Sequence, residues 1–302
     1  MADDRLGRFQ GCLIGLAVGD ALGAPLEFMT EAEIARQYGP VREYRGGGWL
    51  GLAPGEYTDD TQMMLCIARS IVAQGRFDPA DVAERFVVWL DGGPKDAGNT
   101  TRRAIELLKG GVAWREAGER ACAERGRMGA GNGSVMRCAP IALLDYRDER
   151  RLIEDSWNSS LITHGDPRAC WGAVALNLLI AGLVAGGGEG LVEAVAARIA
   201  EREVREALLA APGLAIAELR PSGFVVDTLQ TALRCFLGAG SFEEALVSAV
   251  NLGGDADTVG AVCGALAGAR YGLSSIPAHW QAGLRGAEEI RELAAGILAL
   301  AG

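Results

Sequence analysis

Apolar residues recur with helical spacing along nearly the whole chain, and no stretch alternates like a half-buried strand for long. The linkers between these helical segments are short, and neither a repeat nor a break in composition divides the chain. Because 49% of the residues are hydrophobic and 23% are charged, the chain can bury a well-packed core. These patterns predict an all-α fold, built as one compact multi-helix domain over residues 1–302.

Several of the expected helices carry a start signal. Asp78 before a proline is typical of an N-cap, and both Asp59 with Gln62 and Ser241 with Glu244 have the spacing of a capping box. The apolar pattern and the flanking glycines predict further helices. They cover residues 11–21, 99–110, 114–124, 135–144, 148–161, 167–185, 189–210, 224–237, 242–251, 258–270 and 286–300.

The chain is acidic, with 29 basic and 39 acidic residues and a formal net charge of −10. This balance argues against a surface that binds nucleic acid or an anionic membrane. The most apolar run, residues 169–185, contains Asn177 and has little margin in length for crossing a bilayer. We therefore expect a buried helix there and no membrane span.

The seven cysteines are scattered singly and none forms a CxxC pair, so the sequence indicates neither a zinc ribbon nor a disulfide framework. We interpret them as reduced core residues of a cytoplasmic protein. The N-terminus lacks the basic start of a signal peptide, which agrees with that localisation. Because no exposed apolar face is evident, we expect a monomer.

Two acidic stretches, Thr58–Gln62 and Asn251–Gly260, stand far apart in the sequence. Asp255 and Asp257 are two residues apart and would point in roughly opposite directions on a regular helix. Two glycines precede them, and a glycine turn leading into a helix would let both carboxylates converge. If the two stretches met, their carboxylates would need a cation, and an all-oxygen site suits Mg²⁺ or Mn²⁺. The alternative is that each stretch only caps its own helix.

Small residues line the helix expected after the second acidic stretch, where Gly260, Gly264 and Gly268 are spaced four residues apart. Such spacing lets two helix backbones approach closely. We therefore predict a buried central helix that holds Asp255 and Asp257 rigidly.

Glycine-containing loops carry the remaining polar candidates. Gly129–Ser134 precedes an expected helix, so its amides suit an anion, although a flexible surface loop is the alternative. Asp96 lies on a loop between two helices and is either a general base or an exposed turn residue. His164 is expected to hydrogen-bond a ligand, whereas His279 is interpreted as structural. A Ser-His-Asp hydrolase is poorly supported, because the chain has no Gly-x-Ser-x-Gly elbow.

Two residues beside glycine-containing segments keep two interpretations each. Phe224 follows Gly223 and either stacks on a base or packs in the core at a helix start. Glu27 either caps a helix end or contacts the ligand of the acidic site. The residue types alone do not choose between these alternatives.

Seven segments spread over almost the whole chain carry a family likeness. They are residues 15–24, 46–50, 58–61, 131–137, 162–164, 226–231 and 253–258. Together they resemble the ADP-ribosylglycohydrolases, most closely the dinitrogenase reductase-activating glycohydrolase branch. The resemblance implies a compact all-helical fold with a binuclear Mn or Mg centre in a central cleft, and an enzyme that removes ADP-ribose from modified proteins.

The resemblance also assigns roles residue by residue. The implied metal ligands are Thr58, Asp59, Asp60, Asp255, Asp257 and Thr258, and the implied catalytic acid is Asp96. The implied substrate-binding residues are Asn99, Gly131, Asn132, Gly133, Ser134, Met136, His164 and Phe224. Phe224 takes the adenine-stacking position, where close relatives have tyrosine.

The implied substrate is a protein with arginine-linked ADP-ribose, dinitrogenase reductase being the target that this branch suggests, and the product is ADP-ribose. Ser134 and the segment 163–168 depart from close relatives, which leaves serine-linked or other ADP-ribose conjugates open. The alternative outside enzymes is an ADP-ribose reader without turnover. The four intact aspartates of the acidic stretches argue against that alternative.

Overall fold

The computed structural model describes residues 5–301. Within that range the chain forms sixteen α-helices joined by short turns, and β-pairing is limited to three isolated bridges. The helices are α1 (Arg5–Gly23), α2 (Glu31–Tyr38), α3 (Asp59–Gln74), α4 (Pro79–Asp91), α5 (Asn99–Lys109), α6 (Trp114–Arg125), α7 (Ala139–Leu144), α8 (Glu149–Leu161), α9 (Pro167–Val184), α10 (Leu191–Ala196), α11 (Arg202–Ala210), α12 (Val225–Leu237), α13 (Phe242–Val250), α14 (Ala256–Tyr271), α15 (Ala278–Gly283) and α16 (Ala287–Leu300). The all-α prediction is confirmed for the described chain.

Helices α1 and α14 pack against each other at the centre of the fold, and α14 is the buried central helix that the glycine spacing predicts. A Cβ added at Gly264 would lie 2.0 Å from the carbonyl oxygen of Gly15, and one added at Gly260 would lie 2.5 Å from that of Gly19. Only glycine permits backbones to come this close. The seam between α1 and α14 therefore fixes the acidic start of α14 against α1.

The structure differs from the predicted helices at two places. Residues 133–137 form turns, so the helix expected at 135–144 begins only at Ala139. The helix expected at 189–210 is two short helices, α10 and α11, because residues 197–201 leave the helical path. The first difference has a local cause, because Pro140 is tolerated only in the first turn of a helix and so favours a start at Ala139. Residues 197–201 contain neither proline nor glycine, so tertiary packing decides against a helix there.

The start signals are partly confirmed. Asp78 is the N-cap of α4, and Ser241 is the N-cap of α13. The Glu244 side chain, however, accepts from the amide of Gly240 and so does not complete a box with Ser241. The predicted box at Asp59 is wrong, because Thr58 is the N-cap of α3.

Burial accounts for the apolar helices and the cysteines. Within residues 5–301, two segments are long and apolar enough to cross a membrane, Arg5–Leu26 and Pro167–Val184. Of their apolar windows, 94% and 78% are buried inside the protein. These segments are core helices of the fold. All seven cysteines are free and buried, as expected for reduced core residues.

Candidate metal centre and adjoining loops

The first acidic stretch opens helix α3 and is held by a carboxylate of α1. Thr58 caps α3, and its amide and hydroxyl both donate to Asp20, at 2.9 and 3.0 Å from Oδ1. The amide and hydroxyl of Thr61 donate to Asp20 Oδ2 at 3.0 and 2.6 Å. Asp20 is fully buried, so its hydrogen bonds are taken up in positioning the start of α3, where Asp59 and Asp60 lie buried.

The second acidic stretch is aimed by a glycine turn. Gly253 and Gly254 have φ angles of +71° and +64°, which side chains rarely adopt. The Gly254 amide donates to the carbonyl of Met29 at 2.7 Å, and the Asp255 amide donates to that of Pro221 at 3.1 Å. The turn leads into α14, with Asp255 at its N-cap and Asp257 in its first turn. This is the glycine-turned helix entry that the sequence predicts.

The two stretches face each other, and carboxylates of each stretch raise the pKa values of carboxyl groups in the other. Burial raises the pKa of Asp60 well above its ordinary value, and the charges of Asp20, Asp59 and Asp255 raise it further. Burial likewise raises the pKa of Asp257 well above its ordinary value, with Asp255, Glu27 and Asp60 adding to the effect. Like charges crowded out of water disfavour ionisation unless a cation compensates them.

Glu27 joins this group from the loop after α1. One carboxylate oxygen each of Glu27, Asp255 and Asp257 lie within 4.8 Å of one another. Burial raises the pKa of Glu27 to about 8, while the Trp49 indole, which donates to Oε2 at 2.6 Å, lowers it. Of the two interpretations of Glu27, its position favours contact with the acidic site over helix capping.

The residues present fit divalent cations. Asp60 Oδ2 is buried and has no hydrogen-bond partner among the described residues. A buried carboxylate oxygen without a partner is costly, and a cation would satisfy it. All the converging groups offer oxygen, which suits Mg²⁺ or Mn²⁺ better than Zn²⁺. Thr258 lies beside the same group, and its side chain lowers the pKa of Asp60.

Asp96 lies at the edge of this acidic site on the loop between α4 and α5. It is half-buried, and burial raises its pKa, while the Ala97 amide, donating at 2.7 Å, lowers it. Burial, together with the charges of Asp96 and Asp20, raises the pKa of Asp59 to about 7. Asn99, the first residue of α5, is exposed on the same loop.

The segment Gly131–Ser134, here called the glycine loop, borders the site from another side. The Asn132 side chain donates to Asp255 Oδ2 at 2.8 Å and to Thr228 Oγ1 at 2.9 Å. Ser134 and Met136 are buried, and the Ser134 hydroxyl donates to the carbonyl of Ala169 at 3.3 Å. These two side chains therefore support the loop from behind, and helix α7 begins too late for its N-terminus to contribute.

His164 and Phe224 both contact the glycine loop. The His164 ring lies under it, since a Cβ added at Gly133 would be 2.6 Å from Cε1. Phe224 forms an isolated bridge with Gly131 and is half-buried. The guanidinium of Arg168 lies over the Phe224 ring at 5.4 Å from its centroid. The structure thus gathers these predicted residues on one side of the acidic group.

Two functional contributors were not assigned from the sequence. Asp20 is a lone carboxylate inside a small-residue helix, and such a buried charge signals a structural partner. Trp49 belongs to a glycine-rich loop, and its indole hydrogen-bonds Glu27, which lies far from it in the sequence. Its exposed ring lies 5.6 Å from that of Phe28, itself at φ +66°. Neither contact is readable from sequence spacing.

The structure also contains a sizeable cavity away from the acidic group. A cavity of about 570 Å³ lies between α9, α12 and the segment 187–193, and it shares no residue with the acidic group. Its lining mixes apolar side chains with two glutamates and two arginines, and no histidine lines it. The chemistry of the side chains therefore outweighs cavity size in locating the site.

The fold and the converging carboxylates define an all-helical protein with an oxygen-ligand site suited to divalent cations. The chain belongs to the ADP-ribosylglycohydrolase family, whose profile matches residues 1–302. It is 40% identical over 298 residues to the ADP-ribosyl-[dinitrogen reductase] glycohydrolase of Rhodospirillum rubrum, covering 98% of this chain and 97% of that one.

Two further relatives agree with this membership. The ADP-ribosylarginine hydrolase Tri1 of Serratia proteamaculans is 35% identical, over 99% of this chain and 81% of that protein. A solved ADP-ribosylglycohydrolase-related protein complex superposes with a TM-score of 0.85 at 36% identity and covers 99% of both chains. The expected family resemblance is confirmed.

Proposed function

We propose that this protein is a metal-dependent hydrolase that removes ADP-ribose from arginine side chains of a modified protein. The observation that carries the proposal is the convergence of Asp60 and Asp257, with an unpaired Oδ2 on Asp60, in a family of ADP-ribosylglycohydrolases. The arginine linkage is supported by the name of the ADP-ribosylarginine hydrolase Tri1, and a modified protein as substrate by that of the ADP-ribosyl-[dinitrogen reductase] glycohydrolase.

Two divalent cations, Mg²⁺ or Mn²⁺, would be held by Asp59, Asp60, Asp255, Asp257 and Glu27, with Thr58 and Thr258 as hydroxyl ligands. When bound, such ions supply Lewis-acid polarisation and orient the substrate. Asp20 keeps the α3 ligands in place through its four hydrogen-bond donors on Thr58 and Thr61. Asn132 does the same for Asp255.

The reaction breaks the bond between the anomeric carbon of the ribose and a guanidinium nitrogen, and water adds to that carbon. The water loses a proton, and the departing nitrogen gains one. Asp96 is suited to carry this proton, because it borders the acidic group, is half-buried and has a raised pKa. One of its oxygens is oriented by the Ala97 amide.

The diphosphate and adenine parts of ADP-ribose would bind on the side of the site that the glycine loop borders. The loop backbone and His164 would receive the diphosphate, and Phe224 would stack on the adenine. Asn99 stands on the Asp96 loop and would contact the ribose side. Binding energy from these remote groups would align the scissile bond beside Asp96.

The Asp96→Asn variant tests the mechanism. We expect turnover to be abolished and ADP-ribose affinity to stay largely intact, because the amide keeps the shape and loses the proton-carrying group. Asp91→Asn, an exposed aspartate at the end of α4, is the matched control and should behave as wild type. Near-normal release of ADP-ribose by Asp96→Asn would remove Asp96 from the mechanism.

The linkage is tested by incubating the protein side by side with arginine-modified and serine-modified proteins and measuring released ADP-ribose. Faster release from arginine supports the proposal, and equal rates would contradict the arginine assignment. ADP-ribosylated dinitrogen reductase is the first target to try, given the Rhodospirillum rubrum relative. Binding of ADP-ribose without any metal-dependent release would instead identify a reader.

A further inference from the structure

A fully buried guanidinium lies behind the glycine loop, at Arg137. Its carbon lies 4.6 Å from the centroid of the Phe86 ring, and its NH1 and NH2 groups contact Met63 Sδ at 3.6 Å and the Ser159 carbonyl at 3.5 Å. These are weak partners for a desolvated charge. Among the described residues, the shortest hydrogen bond of the group runs from NH2 to Thr163 Oγ1, at 2.5 Å.

Thr163 passes this interaction to the neighbouring imidazole. Its Oγ1 lies 2.8 Å from Nδ1 of His164, and the Thr163 side chain is fully buried. The His164 backbone is fixed as well, because its amide donates to Ser160 and its carbonyl accepts from the Ser160 hydroxyl at 2.7 Å. Burial and the nearby Arg137 charge lower the pKa of His164 to about 3, so the ring is neutral at physiological pH.

Counting hydrogens fixes the direction of the hydrogen bonds that run from Arg137 through Thr163 to His164. Arginine only donates, so Thr163 Oγ1 must accept from Arg137. If the Thr163 hydroxyl donates to Nδ1, its oxygen accepts from Arg137, its hydrogen has an acceptor, and the ring proton is on Nε2. If Nδ1 carried the proton and donated to Oγ1, the buried Thr163 hydroxyl would have no acceptor in the described chain. The first arrangement is therefore the stable one.

The Nε2 edge of the ring faces the glycine loop. A Cβ added at Gly131 would lie 3.2 Å from His164 Nε2, and one added at Gly133 would lie 3.1 Å from the same atom. The two glycines thus leave the imidazole in contact with the loop backbone. Among the described residues, the hydrogen bonds of this ring end at Nδ1, so an N–H at Nε2 is free for a ligand.

We propose that Arg137, acting through Thr163, is a positioning residue that holds His164 as its Nε2–H tautomer, so that the ring donates a hydrogen bond to an acceptor oxygen of ADP-ribose at the glycine loop. The tautomer follows from the hydrogen bonds alone, and the identity of the acceptor rests on the proposed function. A histidine of the opposite tautomer would present a lone pair to that oxygen and repel it.

Ring ¹⁵N NMR of the full-length protein without ligand tests the tautomer, because the chain has only two histidines. The His279→Gln variant identifies the His164 signals. Wild type should show protonated Nε2 and unprotonated Nδ1, and Thr163→Ser, which keeps the hydroxyl, should show the same. Thr163→Val keeps the shape without the hydroxyl and should populate the Nδ1–H tautomer. A protonated Nδ1 in wild type overturns the proposal whether or not the valine variant folds.

Calorimetric titration of the same proteins with ADP-ribose tests the ligand. Thr163→Val should bind about tenfold or more weakly, the cost of one hydrogen bond to a charged acceptor, while Thr163→Ser should stay within about twofold of wild type. Equal affinities of folded Thr163→Val and wild type overturn the positioning role. A wild type with the Nε2–H tautomer and no affinity for ADP-ribose overturns the proposed function and the assigned acceptor, which separates the two failures.

Discussion

Asp60 is the residue that most directly reports a missing positive charge. Its carboxylate is buried, surrounded by other carboxylates, and one oxygen has no partner in the described chain. Asp20, equally buried, differs because four donors surround it. Asp20 therefore holds the site together through hydrogen bonds, whereas Asp60 keeps an oxygen available to bind a cation.

Replacing Asp60 by Asn should reduce stabilisation by Mn²⁺ or Mg²⁺. At a metal concentration of about 100 times Kd, wild type gains roughly 2.7 kcal/mol, seen as a higher Tm. The variant should gain much less, while its metal-free Tm should equal or exceed that of wild type, since one buried like charge is gone. Glu292→Gln, at an exposed carboxylate on α16, is the control. An unchanged metal response in Asp60→Asn would exclude this residue as a ligand.

Phe224 gives a second prediction at this scale. Phe224→Ala should weaken ADP-ribose binding by roughly 1–3 kcal/mol, the usual loss when a base loses an aromatic platform. Phe224→Tyr keeps the ring face and should bind nearly as tightly as wild type. Fluorescence or calorimetric titration with ADP-ribose measures both. Full affinity in the alanine variant would mean that adenine lies elsewhere.

At the scale of elements, the contact between α1 and α14 determines where both acidic stretches lie. The seam brings Gly19, next to Asp20, against Gly260, three residues after Asp257. Asp20 then fixes the start of α3, so one helix pair positions all three elements of the site. Rigidity here is a requirement of chemistry, because ligand carboxylates must converge within a few tenths of an ångström.

Gly264→Ala tests the seam. Its Cβ would meet the Gly15 carbonyl oxygen at 2.0 Å, and backbone cannot move aside cheaply. We expect a loss of roughly 1–3 kcal/mol or more in the free energy of unfolding, despite the better helix propensity of alanine. Gly296→Ala on α16, which would meet only a Val72 side chain at 3.0 Å, is the matched control. Equal urea-denaturation midpoints for the two variants would contradict the seam.

Sequence spacing could predict the seam only in part. Gly260, Gly264 and Gly268 indicate a close helix neighbour, but long-range packing decides which helix that is. The equal spacing of Gly11, Gly15 and Gly19 does not by itself identify α1 as the neighbour. Local signals found most helices because apolar periodicity is a local property. The short helices α2 and α15 are not among those predicted, although Thr30 and Glu33 form a capping box at the start of α2. The break between α10 and α11 is not predicted either, because tertiary contacts decide it.

The site follows the same division. Its carboxylates were identifiable because two acidic turns beside glycines are unusual chemistry, and the resemblance to a family assigned their roles. The support behind them was not identifiable from the sequence. Asp20, Trp49 and the buried Arg137 act through hydrogen bonds across the fold, and no spacing in the sequence encodes those contacts.

For the molecule as a whole, a carboxyl pair remote from the metal centre affects stability. Burial raises the pKa of Asp155 to about 7, and the neighbouring Asp145 raises it further, while Arg151 opposes the shift. In the unfolded chain an aspartate ionises near 4. The folded state therefore holds the proton more tightly, and its stabilising effect, full below about pH 4, is lost as the pH rises towards 7.

Asp155→Asn removes this ionisation. We expect the variant to have a higher free energy of unfolding than wild type at pH 8, and the difference to shrink at pH 5. Urea denaturation at the two pH values measures it, with exposed Glu193 changed to Gln as a control for surface charge. A difference that does not depend on pH would show that Asp155 ionises normally in the folded protein.

The account depends on a divalent-cation site between two distant acidic stretches. The most direct measurement is anomalous diffraction at the manganese absorption edge from crystals grown with Mn²⁺. We predict peaks among the carboxylates of Asp60, Asp257 and Glu27, within bonding distance of Asp60 Oδ2. Manganese bound only elsewhere, or no peak beside Asp60 at Mn²⁺ concentrations that saturate activity, would contradict the account.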